Sequence, residues 1–189
     1  MTLEDATDGL LKSLAHELEF SLNDPNFDDT PKRVAKAWRE MLGGYSESSS
    51  TILEKSFPSE GYNQMIVVKD IKFFSLCAHH MLPFYGSIAV GYIPGDDGRV
   101  VGLSKVARIC HMFARRFQLQ ERLTQQIADS IEFHLKPRGV AVFVYDSIHL
   151  CMHMRGVKES HSTMDTNVLR GEFLEDPAVR QEFFKMVGR

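Results

Sequence analysis

Apolar positions recur at helical spacing in the first part of the chain. Residues 3–21 carry leucines three to four positions apart, which predicts a first helix, and TPKRVAKAWREML predicts a second. Thr30 can cap the second helix, Pro31 suits its first helical position, and Gly43-Gly44 ends it. The polar stretch GYSESSS follows, after which the period of the pattern changes. We therefore predict an N-terminal helical region over residues 1–62.

From residue 63 onward the pattern alternates with period two. NQMIVVKDIKFFS and FYGSIAVGYIP predict two strands, and GDDG predicts a turn. Helical spacing returns at Ser104, which can cap a helix, breaks near Phe117 and continues to KPRG. A buried strand opening at Val140, a last strand near 165–173 and a helix near 177–187 complete the pattern. The order of elements predicts an α+β domain over residues 63–189.

The stretch IHLCMHMRG also fits a strand. Period two then places four polar or reactive side chains on one face, and apolar side chains on the other. The polar face consists of His149, Cys151, His153 and Arg155. One face therefore belongs to the core, and the other offers a thiol, two imidazoles and a guanidinium to a common space.

Composition excludes several classes of protein. The chain has 189 residues and a formal net charge of −3, which does not favour binding to nucleic acids or membrane surfaces. Its first residues are acidic, unlike a signal peptide, and no apolar run approaches the roughly 20 residues that span a bilayer. Three cysteines are an odd set, which indicates a reducing compartment rather than a disulfide framework. We expect a globular cytoplasmic protein.

The cysteines and histidines suggest a metal site. Cys77 and His80 have the short spacing at which two side chains share a metal, and Cys151 offers a second thiol. Three such ligands leave a fourth position of zinc open for water, which is the catalytic arrangement. His79 is then free to transfer protons, as is His149. The alternative is that both cysteines are ordinary buried thiols, as we expect for Cys110.

Cations form a second group. Lys105 and Arg108 lie one turn apart at the start of a predicted helix, where positive charge favours phosphate. Arg155 shares the polar face of the predicted strand with Cys151. Arg33 and Lys36 lie on the second predicted helix. A solvated basic surface is the alternative for all of these cations except Arg155.

Five stretches lie in order between about residues 28 and 173: TPKRVAK, C-x-HH-x-x-PF-x-G, GLSKVARI, QLQERLTQQIA and HLCMHMRG. Taken together, they resemble the zinc-dependent GTP cyclohydrolase I family. The resemblance implies a tunnelling fold, an antiparallel sheet with long helices on one side that assembles around a central tunnel. It also implies a homodecamer of two stacked rings, with active sites at subunit junctions.

The same resemblance implies a reaction and its residues. GTP and water would give 7,8-dihydroneopterin triphosphate and formate, a product that folate, biopterin or queuosine routes could use. The implied zinc ligands are Cys77, His80 and Cys151. The implied proton-transfer and rearrangement residues are His79, His149 and Ser104. Guanine would contact Glu121 and Gln120, and the triphosphate would contact Lys105, Arg108 and Arg155, with Arg33 and Lys36 of a neighbouring subunit.

Three positions depart from the family pattern. Ala78 stands where glutamate is usual, Ser87 where a lysine is common, and Asp165 lies in a stretch that is usually rich in Thr and Ser. Two alternatives therefore stay open: a paralogue that stops at a ring-opened product or accepts another purine, and a catalytically silent nucleotide-binding module. A related nitrile reductase would use a catalytic cysteine without zinc, and the Cys-His-Cys set disfavours it.

Overall fold

The computed structural model describes residues 1–96 and 98–189. These residues form two compact units, Met1–Gly43 and Gly44–Arg189. The division lies at the start of the polar GYSESSS stretch, so the predicted border at residue 62 falls inside the second unit. Within the described ranges, every helix is too short or too polar to cross a membrane. The predicted GDDG turn includes Asp97, which lies outside the described residues.

The first unit contains the two predicted helices, α1 (Leu3–Glu17) and α2 (Thr30–Met41). Helix α1 begins with a capping box, in which the Thr2 hydroxyl accepts from the Asp5 N–H and the Asp5 carboxylate accepts from the Thr2 N–H. The prediction that Thr30 caps α2 is wrong, because Asp29 occupies the cap position. The Thr30 hydroxyl instead donates to the Asn26 carbonyl at 3.3 Å.

The strands of the second unit are β1 (Phe57–Pro58), β2 (Ile66–Cys77), β3 (Pro83–Ile93), β4 (Arg99–Val100), β5 (Phe117–Gln118), β6 (Gly139–His149) and β7 (Met164–Gly171). Five of them form one sheet in the order β5-β2-β3-β6-β7. Neighbouring strands in this sheet are antiparallel, apart from the short parallel pair β2–β5. The helices are α3 (Ser49–Leu53), α4 (Leu103–Ala114), α5 (Gln120–Leu135), α6 (Leu150–His153), α7 (Glu172–Glu175) and α8 (Pro177–Val187). The α+β class is confirmed.

Strand β6 shows why the sheet is apolar on both faces. Val140, Val142 and Val144 pack in a core with α4 and α5. The intervening Ala141, Phe143 and Tyr145 pack in a second core with α7 and α8. Burial on both faces explains the continuous apolar run in the sequence. The two long helices cover one face as predicted, and the C-terminal helices also cover part of the other.

Two bulges bend the sheet, and a non-glycine residue with positive φ lies at each. Asp70 has φ 59° where the β2–β3 register shifts, and Asp146 has φ 52° where the β6–β7 register shifts. Tyr145 holds the first bulge, since its hydroxyl donates to the Asp70 carboxylate at 2.9 Å. Asp165 holds the second, because its carboxylate accepts from the Asp146 N–H at 2.8 Å. Asp165 therefore has a structural partner.

Helix α4 corrects one further prediction. Gly102 occupies its cap position and Leu103 begins the helix, so Ser104 lies inside the first turn and does not cap it. The predicted break near Phe117 is confirmed as strand β5, which separates α4 from α5. The predicted last strand and last helix are confirmed as β7 and α8.

We expect Gly91→Ala to destabilise the second unit. A Cβ at Gly91 would lie 2.8 Å from two ring carbons of the buried Phe183, closer than packed carbon atoms tolerate. The expected loss is about 1–3 kcal/mol in the free energy of unfolding, measured by chemical denaturation. Gly91→Ala combined with Phe183→Leu should lose less than the sum of the two single changes. Identical unfolding midpoints for Gly91→Ala and the parent would contradict this packing.

Candidate functional site

The site begins where strand β2 ends. The Cys77 N–H donates to the Leu82 carbonyl at 2.9 Å, and the Met81 N–H donates to the Cys77 carbonyl at 2.8 Å. These bonds close a tight turn between β2 and β3, in which Met81 has φ 56°. The turn keeps the Cys77 side chain buried and leaves His79 and His80 exposed. One short turn thus presents a thiol and two imidazoles at the same end of the sheet.

Strand β5 brings the start of helix α5 to this turn. Cys77 is the register partner of Gln118 in the parallel β2–β5 pair. The Ala78 N–H extends this pairing and donates to the Gln118 carbonyl at 2.9 Å. Helix α5 begins two residues later, with Gln120 and Glu121 in its first turn. Gln120 is buried and Glu121 is exposed.

The structure overturns the strand predicted over residues 149–155. Strand β6 ends at His149, and Leu150–His153 form a single helical turn. The pairing partners of β6 end there too, since Phe84 near the start of β3 pairs with His149, and the last β7 pair joins Ser147 to Met164. Without a strand beside it, the backbone satisfies its hydrogen bonds by turning into a helix.

The helical turn separates the four side chains that a strand would have placed together. The helical turn ends at His153, so Arg155 lies just beyond it. The Arg155 guanidinium folds back and reaches the Cys151 carbonyl at 3.5 Å. The His153 side chain instead contacts the loop before β7, where its Nε2 lies 2.9 Å from the Ser162 carbonyl.

Three predicted ligands converge. The ligand atoms of Cys77, His80 and Cys151 all lie within 4.8 Å of one another, and Cys77 Sγ is 3.9 Å from His80 Nδ1. Burial and then the neighbouring Cys77 thiol raise the pKa of the Cys151 thiol. Two thiols and an imidazole at these distances are ligands that a borderline-soft divalent cation accepts, and the cation would stabilise both thiolates. The group fits a metal ion.

A second group adjoins the first at His149. Its Nε2 lies 2.8 Å from Gln120 Oε1, and its ring stacks on Phe84 with centroids 4.6 Å apart and planes 10° apart. Burial lowers the pKa of His149, and the nearby His153 acts in the same direction, while Glu121 opposes them. His149 is thus a partly buried imidazole that favours its neutral form, two residues before Cys151 in the chain.

Arg155 and His79 flank the ligand group. Arg155 Nη1 lies 3.1 Å from His80 Nε2, so the guanidinium directly contacts an imidazole of the ligand group. The His79 and His80 rings are perpendicular, with centroids 6.1 Å apart. The structure therefore brings eight predicted site residues to one end of the sheet: Cys77, His79, His80, Gln120, Glu121, His149, Cys151 and Arg155.

The remaining predicted residues lie elsewhere. Ser104, Lys105 and Arg108 are on the first two turns of α4, and Lys105 Nζ donates to the Ile52 carbonyl at 2.7 Å. Across residues 1–96 and 98–189, the structure records no hydrogen bond or ion pair from these three residues to the ligand group. Arg33 and Lys36 are exposed residues of α2 in the first unit, where Arg33 donates to the Asn26 carbonyl at 2.8 Å.

Three residues that support the site were not predicted from the sequence. Phe84 stacks on His149, Thr124 Oγ1 donates to the Gln120 carbonyl at 2.7 Å, and Thr166 Oγ1 lies 2.7 Å from Thr124 Oγ1. The spacing of Gln120 and Thr124, one helical turn apart, was the available signal for Thr124. Nothing local in the sequence connects Thr166 with α5, because the contact spans two separate elements.

The fold and the ligand group define an α+β protein with a Cys-His-Cys group that could hold a metal at one end of a mostly antiparallel sheet. Residues 6–188 match the GTP cyclohydrolase I family. The chain therefore belongs to the GTP cyclohydrolase I family.

Individual relatives agree with the family match over most of their length. A Methylococcus capsulatus protein named GTP cyclohydrolase 1 is 46% identical over 95% of this chain and 96% of its own. Proteins of the same name from Deinococcus radiodurans and Chlorobaculum tepidum are 51% and 48% identical, over 84% of this chain and 72% and 70% of their own.

The three cysteines should differ in reactivity. Burial raises the pKa of the Cys110 thiol to about 12, so this core residue should react with alkylating reagents only after unfolding. Cys77 and Cys151 should be shielded while a metal is bound and should become alkylated after treatment with a chelator. Peptide mass spectrometry identifies each modified cysteine, and Cys110→Ala should leave the pattern of the other two unchanged. Alkylation of Cys77 and Cys151 that is equally fast before and after chelation would contradict a metal site.

Proposed function

We propose that this chain is an enzyme that catalyses the GTP cyclohydrolase I reaction. The imidazole ring of GTP is opened at C8 by hydrolysis, formate is released, and the remaining atoms rearrange to 7,8-dihydroneopterin triphosphate. Membership of the family supports this assignment. The observation that carries it is the convergence of Cys77, His80 and Cys151, from two distant segments, beside the partly buried His149.

Zinc is the metal that we propose for the Cys-His-Cys group. The two thiols and the imidazole are typical zinc ligands, and three protein ligands leave a position for a water molecule. Zinc bound there would supply Lewis acidity and activate water at neutral pH. Strand β2, which carries Cys77, packs in the larger core, so we expect the fold to persist without metal.

The residues around the metal group have separate tasks in this proposal. Glu121, exposed in the first turn of α5, accepts hydrogen bonds from the amino and ring N–H groups of guanine. Gln120 beside it belongs to the same pocket. His79, exposed on the turn after β2, donates a proton to the imidazole nitrogen of the purine as the ring opens. His149 assists the opening of the ribose, and Ser104 the later rearrangement.

The triphosphate requires several cations. Arg155 adjoins the metal group, whereas Lys105 and Arg108 belong to α4, and Arg33 and Lys36 belong to α2. Charge-assisted hydrogen bonds from several such groups would balance a triphosphate. Since no hydrogen bond or ion pair in the described residues links Lys105 or Arg108 to the ligand group, we propose that α4 and α2 of neighbouring copies complete the site.

The edges of the sheet favour assembly. In the described part of the second unit, β7 pairs only with β6, and β2 pairs with β5 only at Leu76 and Cys77. Two edges of the sheet are therefore open to pairing with other copies, and a closed ring would remove both. Together with the family, this supports a homo-oligomer, which we propose is a decamer located in the cytoplasm.

The activity is tested by incubating the zinc-loaded protein with GTP, with formate and oxidised neopterin both measured. We expect both products, and we expect His79→Ala to lower kcat by about 10²- to 10⁴-fold because a general acid is lost. His161→Ala, an exposed loop residue, is the matched control and should retain parental activity. Formate without neopterin would instead indicate a ring-opening paralogue, and GTP binding without either product a silent nucleotide-binding module; each result would reject the proposal.

The shared site is tested by complementation. An Arg33→Ala chain and a His79→Ala chain should each be nearly inactive alone, and refolding them together should restore activity, because some junctions then contain both native residues. Sedimentation should show a large symmetric oligomer for the parent. A fully active monomer or dimer, or mixtures with no more activity than the separate variants, would exclude a site shared between copies.

A further inference from the structure

The side chain of Gln120 is committed to partners within its own chain. Gln120 is 1% exposed, and its amide makes three hydrogen bonds. Nε2 lies 3.0 Å from the Met164 carbonyl and 3.2 Å from Thr166 Oγ1, and Oε1 lies 2.8 Å from His149 Nε2. Both ends of the amide are therefore engaged, which leaves little of it for a guanine base.

The chemistry of these partners fixes which end of the amide points where. The Met164 carbonyl can only accept a hydrogen bond, so the NH₂ end of Gln120 must face it. The opposite orientation would place Oε1 about 3.0 Å from the Met164 carbonyl oxygen, where two acceptors repel each other and no hydrogen bond forms. The oxygen of the amide must consequently face His149.

The orientation of the amide in turn fixes the hydrogen on the imidazole. An amide oxygen only accepts, so His149 Nε2 must carry a hydrogen to make the 2.8 Å bond. In the neutral ring the lone pair then lies on Nδ1. The parallel ring of Phe84, 4.6 Å away, holds the plane of the imidazole.

A chain of hydroxyl groups reinforces this arrangement. The Thr124 hydroxyl donates to the main-chain carbonyl of Gln120 at 2.7 Å. The Thr124 oxygen is therefore free to accept from the Thr166 hydroxyl at 2.7 Å. Thr166 Oγ1 can therefore donate to Thr124 while it accepts from Gln120 Nε2. Each hydrogen in this hydrogen-bond network has one acceptor. The donor and acceptor assignments are therefore consistent from Thr166 through Gln120 to His149.

We infer that Gln120 is a positioning residue that fixes His149 as its Nε2–H tautomer, so that Nδ1 is the nitrogen that exchanges a proton with substrate. The inference deepens the proposed function and rests on it for the role of His149 in the reaction. It changes the role of Gln120 from a guanine contact to a support for the imidazole. Thr166 and Thr124 hold the amide in the orientation that this role requires.

The tautomer is measured directly by solid-state NMR of protein labelled with ¹⁵N-histidine, without substrate. The signals of His149 are those missing from a His149→Gln variant. At about pH 8, above the ordinary histidine pKa of about 6.5, we expect a protonated-type Nε2 and an unprotonated-type Nδ1. Gln120→Met, which removes the acceptor, should give a mixture of tautomers. A protonated-type Nδ1 in the parent would overturn the inference, whatever the activity of the protein.

Kinetics separate positioning from guanine binding. Gln120→Met should lower kcat about 10- to 100-fold, less than the roughly 10²- to 10⁴-fold that a general acid–base side chain contributes, and should change the KM for GTP less than about threefold. Gln125→Met is the matched control, because Gln125 lies on the same helix and is exposed, and it should retain the parental kcat. A raised KM with unchanged kcat would show instead that Gln120 binds guanine.

A double-mutant cycle adds a readout that loss of structure alone would not produce. In a His149→Ala background, Gln120→Met should cause no further loss of kcat, because its effect acts through the missing imidazole. Thr166→Val should lower kcat less than Gln120→Met, since Gln120 Nε2 keeps its bond to the Met164 carbonyl. Additive losses from His149→Ala and Gln120→Met would contradict the inference.

Discussion

The candidate site depends on a pairing only two residues long, the parallel contact of Leu76 and Cys77 with Phe117 and Gln118. Strands β3 and β4 and helix α4 lie between these segments in the chain, so the pairing is what joins the turn after β2 to the start of α5. Gln118 secures it with a side chain that is 1% exposed, whose amide donates to the Phe113 carbonyl and to Gln126. Arg122 secures it from the helix, through bonds to Gln118 Oε1 and the Phe117 carbonyl.

Most of the fold could be predicted because its signals are local. The valines of β6 alternate with residues that face a second core. The continuous apolar run in the sequence indicated this burial on both faces. The same locality explains the error over residues 149–155. Cys151 and Arg155 share a side in either a strand or a helix, so the pattern of the segment could not decide between them. The conformation is determined by β3 and β7, because their pairing with β6 ends at this point and leaves the segment without a neighbouring strand.

The ligand group could be predicted, whereas its supports could not. Cysteine and histidine are uncommon residues with distinct chemistry, so their spacing, together with the polar face predicted over residues 149–155, pointed to a metal group. Cys77, His80 and Cys151 do converge. The partners of Gln120 are a backbone carbonyl and a threonine, 44 and 46 residues away. Neither carries a chemical signal in the sequence, since a buried threonine is ordinary and every residue has a carbonyl. Long-range hydrogen bonds of this kind become visible only in three dimensions.

A lysine of the neighbouring strand brings a positive charge to Ser87. From the resemblance to the family we expected a lysine where the chain has Ser87, which suggested a missing cation. Lys72 is the cross-strand partner of Ser87 in the β2–β3 pair, and its ammonium group donates to the Ser87 hydroxyl at 2.7 Å. The positive charge therefore still reaches this part of the sheet, from the neighbouring strand. Residues that face each other across paired strands share one local environment, so the charge at this point of the sheet is set by the Lys72–Ser87 pair and cannot be read from residue 87 alone.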